Sequence, residues 1–173
     1  MAKSETTELD FAAGQKIVYP AHGVGTVTAV DKQQVAGMTL EVYVVSFDQD
    51  KMILRVPTNR AIASGMRALA GDKLVEDALK TLGGKARIKR TMWSRRAQEY
   101  EAKINSGDLI SIAEVVRDLH RLEDQPEQSY SERQLYESAL DRMARELAAV
   151  ESIDHTTAMD RLAESLAKKK AAA

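Results

Sequence analysis

The stretch GVGTVTAVDKQQVAGMTLEVYVVSFDQ, residues 23–49, decides the fold class of the N-terminal part of the chain. It contains two runs, residues 23–32 and 39–49, which are rich in β-branched and aromatic residues and are separated by Gly37. In the second run, one set of alternate side chains is Leu40, Val42 and Val44, and the other is Glu41, Tyr43, Val45 and Phe47. A period of two predicts β-strands.

Two shorter runs of the same character flank this stretch. They are KIVYP at residues 16–20 and MILRVP at residues 52–57. Four or five short strands cannot cover one another as a flat sheet, whereas closure into an SH3-like or Tudor-like barrel removes most exposed strand edges. We therefore predict a small β-barrel at residues 13–63, preceded by a flexible tail at residues 1–12.

From about residue 64 the apolar residues repeat with the period of helices. The first helix is predicted to start near Asp72 and stop at Gly83, and the second to run from about residue 91 to residue 106. Asp108 is the predicted cap of the third helix and Asp154 that of the last. Ser131 with Gln134 forms a predicted capping box for the fourth. The chain is therefore predicted to be an α+β protein of two domains. An all-helical bundle of about five helices occupies residues 68–168, and a frayed tail occupies residues 169–173.

Composition limits the function classes. The chain has 173 residues and a formal net charge of −1, so the whole molecule is not a general binder of polyanions. It has no cysteine, which excludes disulfides and thiolate chemistry and fits a reducing compartment. There is no signal peptide pattern and no run near the roughly 18 apolar residues of a membrane helix. We predict a cytoplasmic protein without membrane contact.

The only tryptophan, Trp93, lies in TLGGKARIKRTMWSRRA, residues 81–97, here called the basic segment. It contains no Asp or Glu, and its cations are Lys85, Arg87, Lys89, Arg90, Arg95 and Arg96. Cations around one flat ring are typical of a site that grips phosphates and places an apolar group against bases. They are equally typical of a core tryptophan with a solvated basic rim, and the composition does not choose between these interpretations.

No pattern in the chain indicates an enzyme. The three histidines, His22, His120 and His155, are far apart, and no HExxH, CxxC or carboxylate–histidine cluster is present. The Gly23–Val24–Gly25 turn lacks the third glycine, the lysine and the following helix of a phosphate-binding loop. We predict no catalytic residue, no metal site and no cofactor.

Four motifs carry a resemblance to a known family. They are GQKIVYPAHGVGTV at residues 14–27, ILRVPTNRA at 53–61, WSRRAQEYEAKINSGD at 93–108 and IAEVVRDLHRLE at 112–123. From about residue 11 to residue 167 the chain resembles the CarD/CdnL family of bacterial RNA polymerase-binding transcription regulators. Its N-terminal pattern is also shared with transcription-repair coupling factors, but the GxxxxGK[ST] loop that their translocase needs is missing from this sequence.

The resemblance implies a monomer that binds the β subunit of RNA polymerase holoenzyme through the edges of its barrel strands. The helical domain is then expected to reach promoter DNA at the upstream fork of the transcription bubble. There, the tryptophan that matches Trp93 inserts into the minor groove and stabilises the open promoter complex. The implied DNA-binding residues are Trp93, Arg95 and Arg96, with Arg90 and Lys89 beside them.

The polymerase-binding residues are expected to be Arg55, Tyr43 and Val45, although the pattern of residues leaves Tyr43 open as either a core residue or an edge contact. Two basic positions of the family fall on Gln33 and Gln98 here, which puts those two contacts in doubt. Two other functions fit the residues: an autonomous, weakly specific DNA-binding regulator that uses the bundle alone, and an adaptor whose basic segment binds an acidic protein.

Overall fold

The computed structural model describes residues 9–121 and 125–171, with side chains through residue 167. The strands are β1 (Lys16–Tyr19), β2 (Gly23–Val35), β3 (Met38–Phe47), β4 (Met52–Pro57) and β5 (Arg67–Ala68). The helices are α1 (Asp72–Leu82), α2 (Trp93–Asn105), α3 (Leu109–Leu119), α4 (Tyr130–Glu151) and α5 (His155–Ala171). This order confirms the predicted α+β class, with a strand domain followed by a helical one.

The five strands form one antiparallel sheet in the order β4-β3-β2-β1-β5. Ala36 and Gly37 connect β2 to β3 with φ of 51° and 79°, the left-handed conformations that a two-residue hairpin turn requires. The apolar core of this domain is formed by Phe11, Ile17, Val27, Tyr43, Val45, Phe47, Val56, Ala61 and Met66. Strands β4 and β5 are the edges of the sheet, so β4 has a ladder partner on one side, β3.

The predicted borders of the strand domain need correction at both ends. Phe11 is only 5% exposed, and its ring packs edge-to-face on Tyr43 with centroids 5.5 Å apart. It therefore belongs to the core and not to a free tail, while residues 1–8 of the predicted tail lie outside the described residues. At the other end, β5 pairs with β1, so the sheet continues past residue 63.

The helix caps agree with the sequence at two of three sites. Asp108 accepts a hydrogen bond from the Ser111 N–H at 3.2 Å, and Asp154 accepts one from the Thr157 N–H at 2.7 Å. Hydrogen bonds from Thr157 also lower the pKa of the Asp154 carboxyl.

The predicted capping box of Ser131 and Gln134 is wrong. The N-cap of α4 is Ser129, whose Oγ accepts a hydrogen bond from the Glu132 N–H at 3.2 Å. Ser129 and Glu132 have the same spacing as the predicted pair, and an acid in the first turn also suits the helix dipole. The last helix continues to Ala171 into the predicted frayed tail, and the side chains of the Lys168–Lys170 tail lie outside the described ones.

The helices share one apolar core, and α4 joins them to the sheet. Arg142 on α4 donates a hydrogen bond to the carbonyl of Ala21, in the turn between β1 and β2. Glu146, one turn further along α4, forms an ion pair of 2.7 Å with Arg67 of β5. Along the described residues, none of the helices has the length and apolarity to cross a membrane.

Candidate functional site

Trp93 is the first residue of α2, at an N-terminus without a side-chain cap. The N-cap residue Met92 provides no side-chain hydrogen bond, and the first turn contains no acidic residue. The N–H groups of Arg95 and Arg96 both donate to the Met92 carbonyl at 3.1 Å. Arginines at this end are repelled by the positive pole of the helix dipole. An anion bound here would reduce that repulsion and could accept hydrogen bonds from N–H groups of the first turn.

The Trp93 ring is half-buried. It packs against the bundle core, and its centroid lies 6.4 Å from that of Tyr100 at an interplanar angle of 48°. The sequence left two alternatives for Trp93, an exposed ring placed against bases and a buried core residue. The observed ring is intermediate between them. One part of the ring is anchored on the core and another part remains accessible.

Arg96 lies over the aromatic rings and does not extend into solvent. Its Cζ is 5.4 Å from the Trp93 centroid and 5.9 Å from the Tyr100 centroid, which are cation–π distances. Its Nε is buried and has no hydrogen-bond partner among the described residues. An added acceptor could reach this Nε only if Arg96 moved away from the rings.

The remaining predicted DNA-binding cations lie within four residues of Trp93 in the chain. Arg90 and Arg95 are exposed, and Lys89 is exposed although its Nζ lies 3.4 Å from Glu99 Oε2. A surface ion pair of this kind contributes little and is easily exchanged for another anion. The structure therefore places all five predicted residues at the start of α2 or in the loop before it.

Two apolar residues of this region were missed by the sequence analysis. Met92 is 78% exposed and Ile88 is 46% exposed, so the basic segment also presents apolar surface next to Trp93. The loop that carries them is anchored by Asp118 of α3, whose buried carboxylate accepts a hydrogen bond from the Arg87 N–H at 3.0 Å. The available signal was two apolar residues, four positions apart, within a run of cations.

On the strand domain, Arg55 is exposed on the edge strand β4. The Thr58 N–H donates to Glu41 O, and residue 58 is opposite residue 41 in the β3–β4 register. Because bonded and non-bonded pairs alternate in antiparallel strands, the backbone groups of Ile53, Arg55 and Pro57 point away from β3. Pro57 has no N–H to leave unpaired, which agrees with its position on an edge.

Tyr43 and Val45 must be removed from the polymerase-binding set. Both are 0% exposed, and both lie in the core of the strand domain. Strand β3 lies between β2 and β4, so its backbone is already paired on both sides along this part. Ile53, which is 61% exposed on the same face of β4 as Arg55, is the apolar edge residue that the sequence analysis missed.

The two glutamines occupy different surroundings. Gln33 is half-buried on β2 opposite Leu40, and Gln98 is exposed on α2. Both are uncharged, so neither residue adds a positive charge to the surface that carries it.

Each of the three histidines contacts a different side chain, although His22 and His155 line one cavity. His22 stacks on Tyr19, the His120 ring nitrogen lies 2.9 Å from the Tyr136 hydroxyl, and His155 lies 3.0 Å from Asp141. Burial raises the pKa of the Tyr136 hydroxyl, so that group stays protonated at neutral pH. Within the described residues no three His, Cys, Asp or Glu side chains are grouped as a metal site would require.

Comparison with known proteins gives two family matches that follow the domain division. Residues 11–69 match the model described as "CarD-like/TRCF RID domain", and residues 77–163 match "CarD, C-terminal domain". The chain is 25% identical over 143 residues to "Putative transcription factor YdeB" of Bacillus subtilis (strain 168), covering 83% of this chain and 94% of the relative. The solution NMR structure of the 72-residue N-terminal domain of Myxococcus xanthus CarD is 33% identical, with a TM-score of 0.30, and the match covers 36% of this chain and 84% of that one.

Proposed function

The chain belongs to the CarD family of transcription regulators that interact with RNA polymerase, and from this premise we propose that it binds the polymerase β subunit and stabilises the open promoter complex. In this proposal the edge strand β4 contacts the β subunit, and Trp93 inserts at the upstream fork of the bubble. The protein is a non-enzymatic, cytoplasmic monomer that needs no cofactor.

The free edge of β4 supports the polymerase contact. Ile53 and Arg55 combine exposed side chains with outward-facing backbone N–H and C=O groups. A partner strand would satisfy these backbone groups by extending the sheet, while the apolar and basic side chains would give the contact its specificity.

The observation that carries the DNA contact is the start of α2. A partly accessible tryptophan, an exposed methionine and several cations are gathered at an uncapped helix N-terminus. Cations and backbone N–H groups bind phosphates without reading sequence. The apolar ring then has a chemically different role, because it can occupy the space between separated bases.

Insertion of a side chain at a base step costs a few kcal/mol of stacking energy. At the fork of an open promoter the DNA is already melted, so part of this stacking energy has already been lost. Trp93 would therefore favour the open state over the closed duplex, and reclosing of the bubble would require its removal. The response of each promoter would depend on the stability of its own open complex.

The test is the lifetime of the open complex formed by polymerase holoenzyme, with and without the protein. A longer lifetime is expected, together with DNA binding that is strongly enhanced by holoenzyme. Equally tight DNA binding without polymerase would instead indicate an autonomous DNA-binding regulator. Polymerase binding with no protection or crosslinking of DNA near Trp93 would indicate an adaptor.

A further inference from the structure

The two candidate surfaces are on different domains, and Arg67 makes the largest set of hydrogen bonds between these domains among the described residues. Arg67 lies on β5, the last strand of the sheet, which precedes α1 in the chain. Its guanidinium donates to the Gly107 carbonyl from Nε at 2.9 Å and from Nη2 at 2.7 Å. Gly107 is in the turn that ends α2, so this contact joins the strand domain to the helix that begins with Trp93.

The same guanidinium also binds the long helix α4. Arg67 Nη1 and Nη2 donate to the two carboxylate oxygens of Glu146 at 2.8 and 2.7 Å, and Nη1 donates to the Ala68 carbonyl at 3.0 Å. These bonds use all five N–H donors of the arginine. The Ala70 N–H donates to Glu146 at 2.8 Å, so the carboxylate, in a residue 2% exposed, also has several partners.

We propose that Arg67 is a positioning residue that fixes the direction in which α2 presents Trp93 relative to the polymerase-facing edge of β4. This inference rests on the proposed function. We call Arg67, Gly107 and Glu146 the Arg67 network. Because the guanidinium is planar and its donors are fixed in a fork, the network constrains α2, α4 and β5 in orientation as well as in distance.

The backbone of the α2–α3 turn also fits this role. Gly107 has a φ of 75°, in the left-handed region, which turns its carbonyl toward Arg67. Pro20 of the β1–β2 turn lies close to the same residue. A Cβ added at Gly107 would be only 3.5 Å from the Pro20 Cα. The turn between β1 and β2 thus provides a second support for the end of α2.

Arg67→Lys is the informative substitution, because an ammonium keeps the charge but cannot bind Gly107 and both oxygens of Glu146 in one plane. Arg142→Lys is the matched control at the same domain junction. Arg142 uses one donor to reach the Ala21 carbonyl, and a lysine can replace a single donor. Glu146→Gln keeps the shape of the carboxylate and provides a second variant if Arg67→Lys does not fold.

The domain geometry can be measured directly, because the chain contains no cysteine and two introduced thiols would be its only labelling sites. Spin labels on Thr39→Cys in β3 and Glu101→Cys in α2 report the distance distribution between the domains in the full-length protein. For each variant, circular dichroism and a single unfolding transition establish that it is folded. Binding to the β subunit and open-complex lifetime are then measured on the unlabelled protein.

We expect Arg67→Lys and Glu146→Gln to broaden the distance distribution, retain β-subunit binding and shorten the open-complex lifetime several-fold, whereas Arg142→Lys changes none of these. An unchanged distribution in folded Arg67→Lys would overturn the proposal, as would a broadened distribution with a wild-type lifetime. If the wild-type protein does not lengthen the lifetime at all, the proposed function fails, and the label distances still decide whether the Arg67 network holds the domains.

Discussion

At the scale of single residues, Trp93 and Arg96 act as one unit. The guanidinium of Arg96 lies over the Trp93 ring, and its Nε is buried. A phosphate near α2 would compete with the ring for the guanidinium. Under the proposed function, movement of Arg96 to such a phosphate would uncover part of the ring.

We predict that Trp93→Ala lowers the free energy of unfolding by about 1–2 kcal/mol, below the roughly 3–5 kcal/mol of a fully buried aromatic residue, because the ring is half-buried. Open-complex lifetime should fall while β-subunit binding persists. Urea denaturation and lifetime assays check this, with Trp93→Phe as the control that keeps an aromatic plane. A loss of unfolding free energy as large as that of a core residue would assign the ring to packing alone.

Arg95→Ala should weaken DNA engagement equally across promoter sequences, because a phosphate contact carries no base information. It should reduce the slope of log affinity against log salt by up to about 0.9. Titration of the polymerase–promoter complex at several salt concentrations measures this slope. Arg133→Ala, at an exposed arginine of α4, is the control, and an equal change in that variant would contradict a local contact.

The sequence predicted which residues cluster near Trp93 in the chain, but not how their side chains are arranged. The clustering of cations near Trp93 is visible in the chain, and Arg96 is the one that contacts the ring among the described residues. The stacking of Arg96 on two rings depends on the phase of α2, in which residues 93, 96 and 100 share one face. That phase follows from the first residue of the helix, which sequence patterns locate only approximately.

At the scale of elements, β4 illustrates what alternation along a strand can and cannot predict. Pro57 fits the edge position of this strand, because a proline has no N–H to leave unpaired. The pattern along β3 separated two faces but did not identify the buried one, and both faces are buried from Val42 to Val45. Tyr43 and Val45 were therefore assigned to a surface that they do not reach.

Arg55→Glu should weaken binding to the polymerase β subunit and leave the fold intact, because the side chain is exposed and the substitution reverses its charge. Co-purification with the β subunit checks the binding, and thermal unfolding checks the fold. Arg133→Glu makes the same charge change on α4, outside the strand domain. Wild-type binding by folded Arg55→Glu would remove this residue from the interface.

The cap of α4 gives a test of the corrected helix boundary. Ser129→Ala removes the acceptor for the Glu132 N–H and should cost about 1 kcal/mol of unfolding free energy. Ser131→Ala, two positions along, lies inside the helix on an exposed position and should cost close to nothing. Chemical denaturation of both variants measures the difference, and equal losses would contradict the observed cap.

At the scale of the whole molecule, the division into a strand domain and a helical domain could be read from the change of period near residue 64. The contacts that join the two domains could not be predicted from the sequence. Arg67 and Glu146 are 79 residues apart in the chain, and neither has a local pattern that marks it as buried or paired. Such contacts follow from the docking of completed elements, so they become visible only when the fold is known.

The uncapped start of α2 has a consequence for the folding of the protein. Its first turn lacks a side-chain cap and an acidic residue, and it carries like charges at the positive end of the helix dipole. Local sequence and global fold therefore disagree at this turn, a form of local frustration that usually marks a functional segment. The turn that carries the tryptophan has little local stabilisation of its own, and under the proposed function a bound phosphate would supply part of what it lacks.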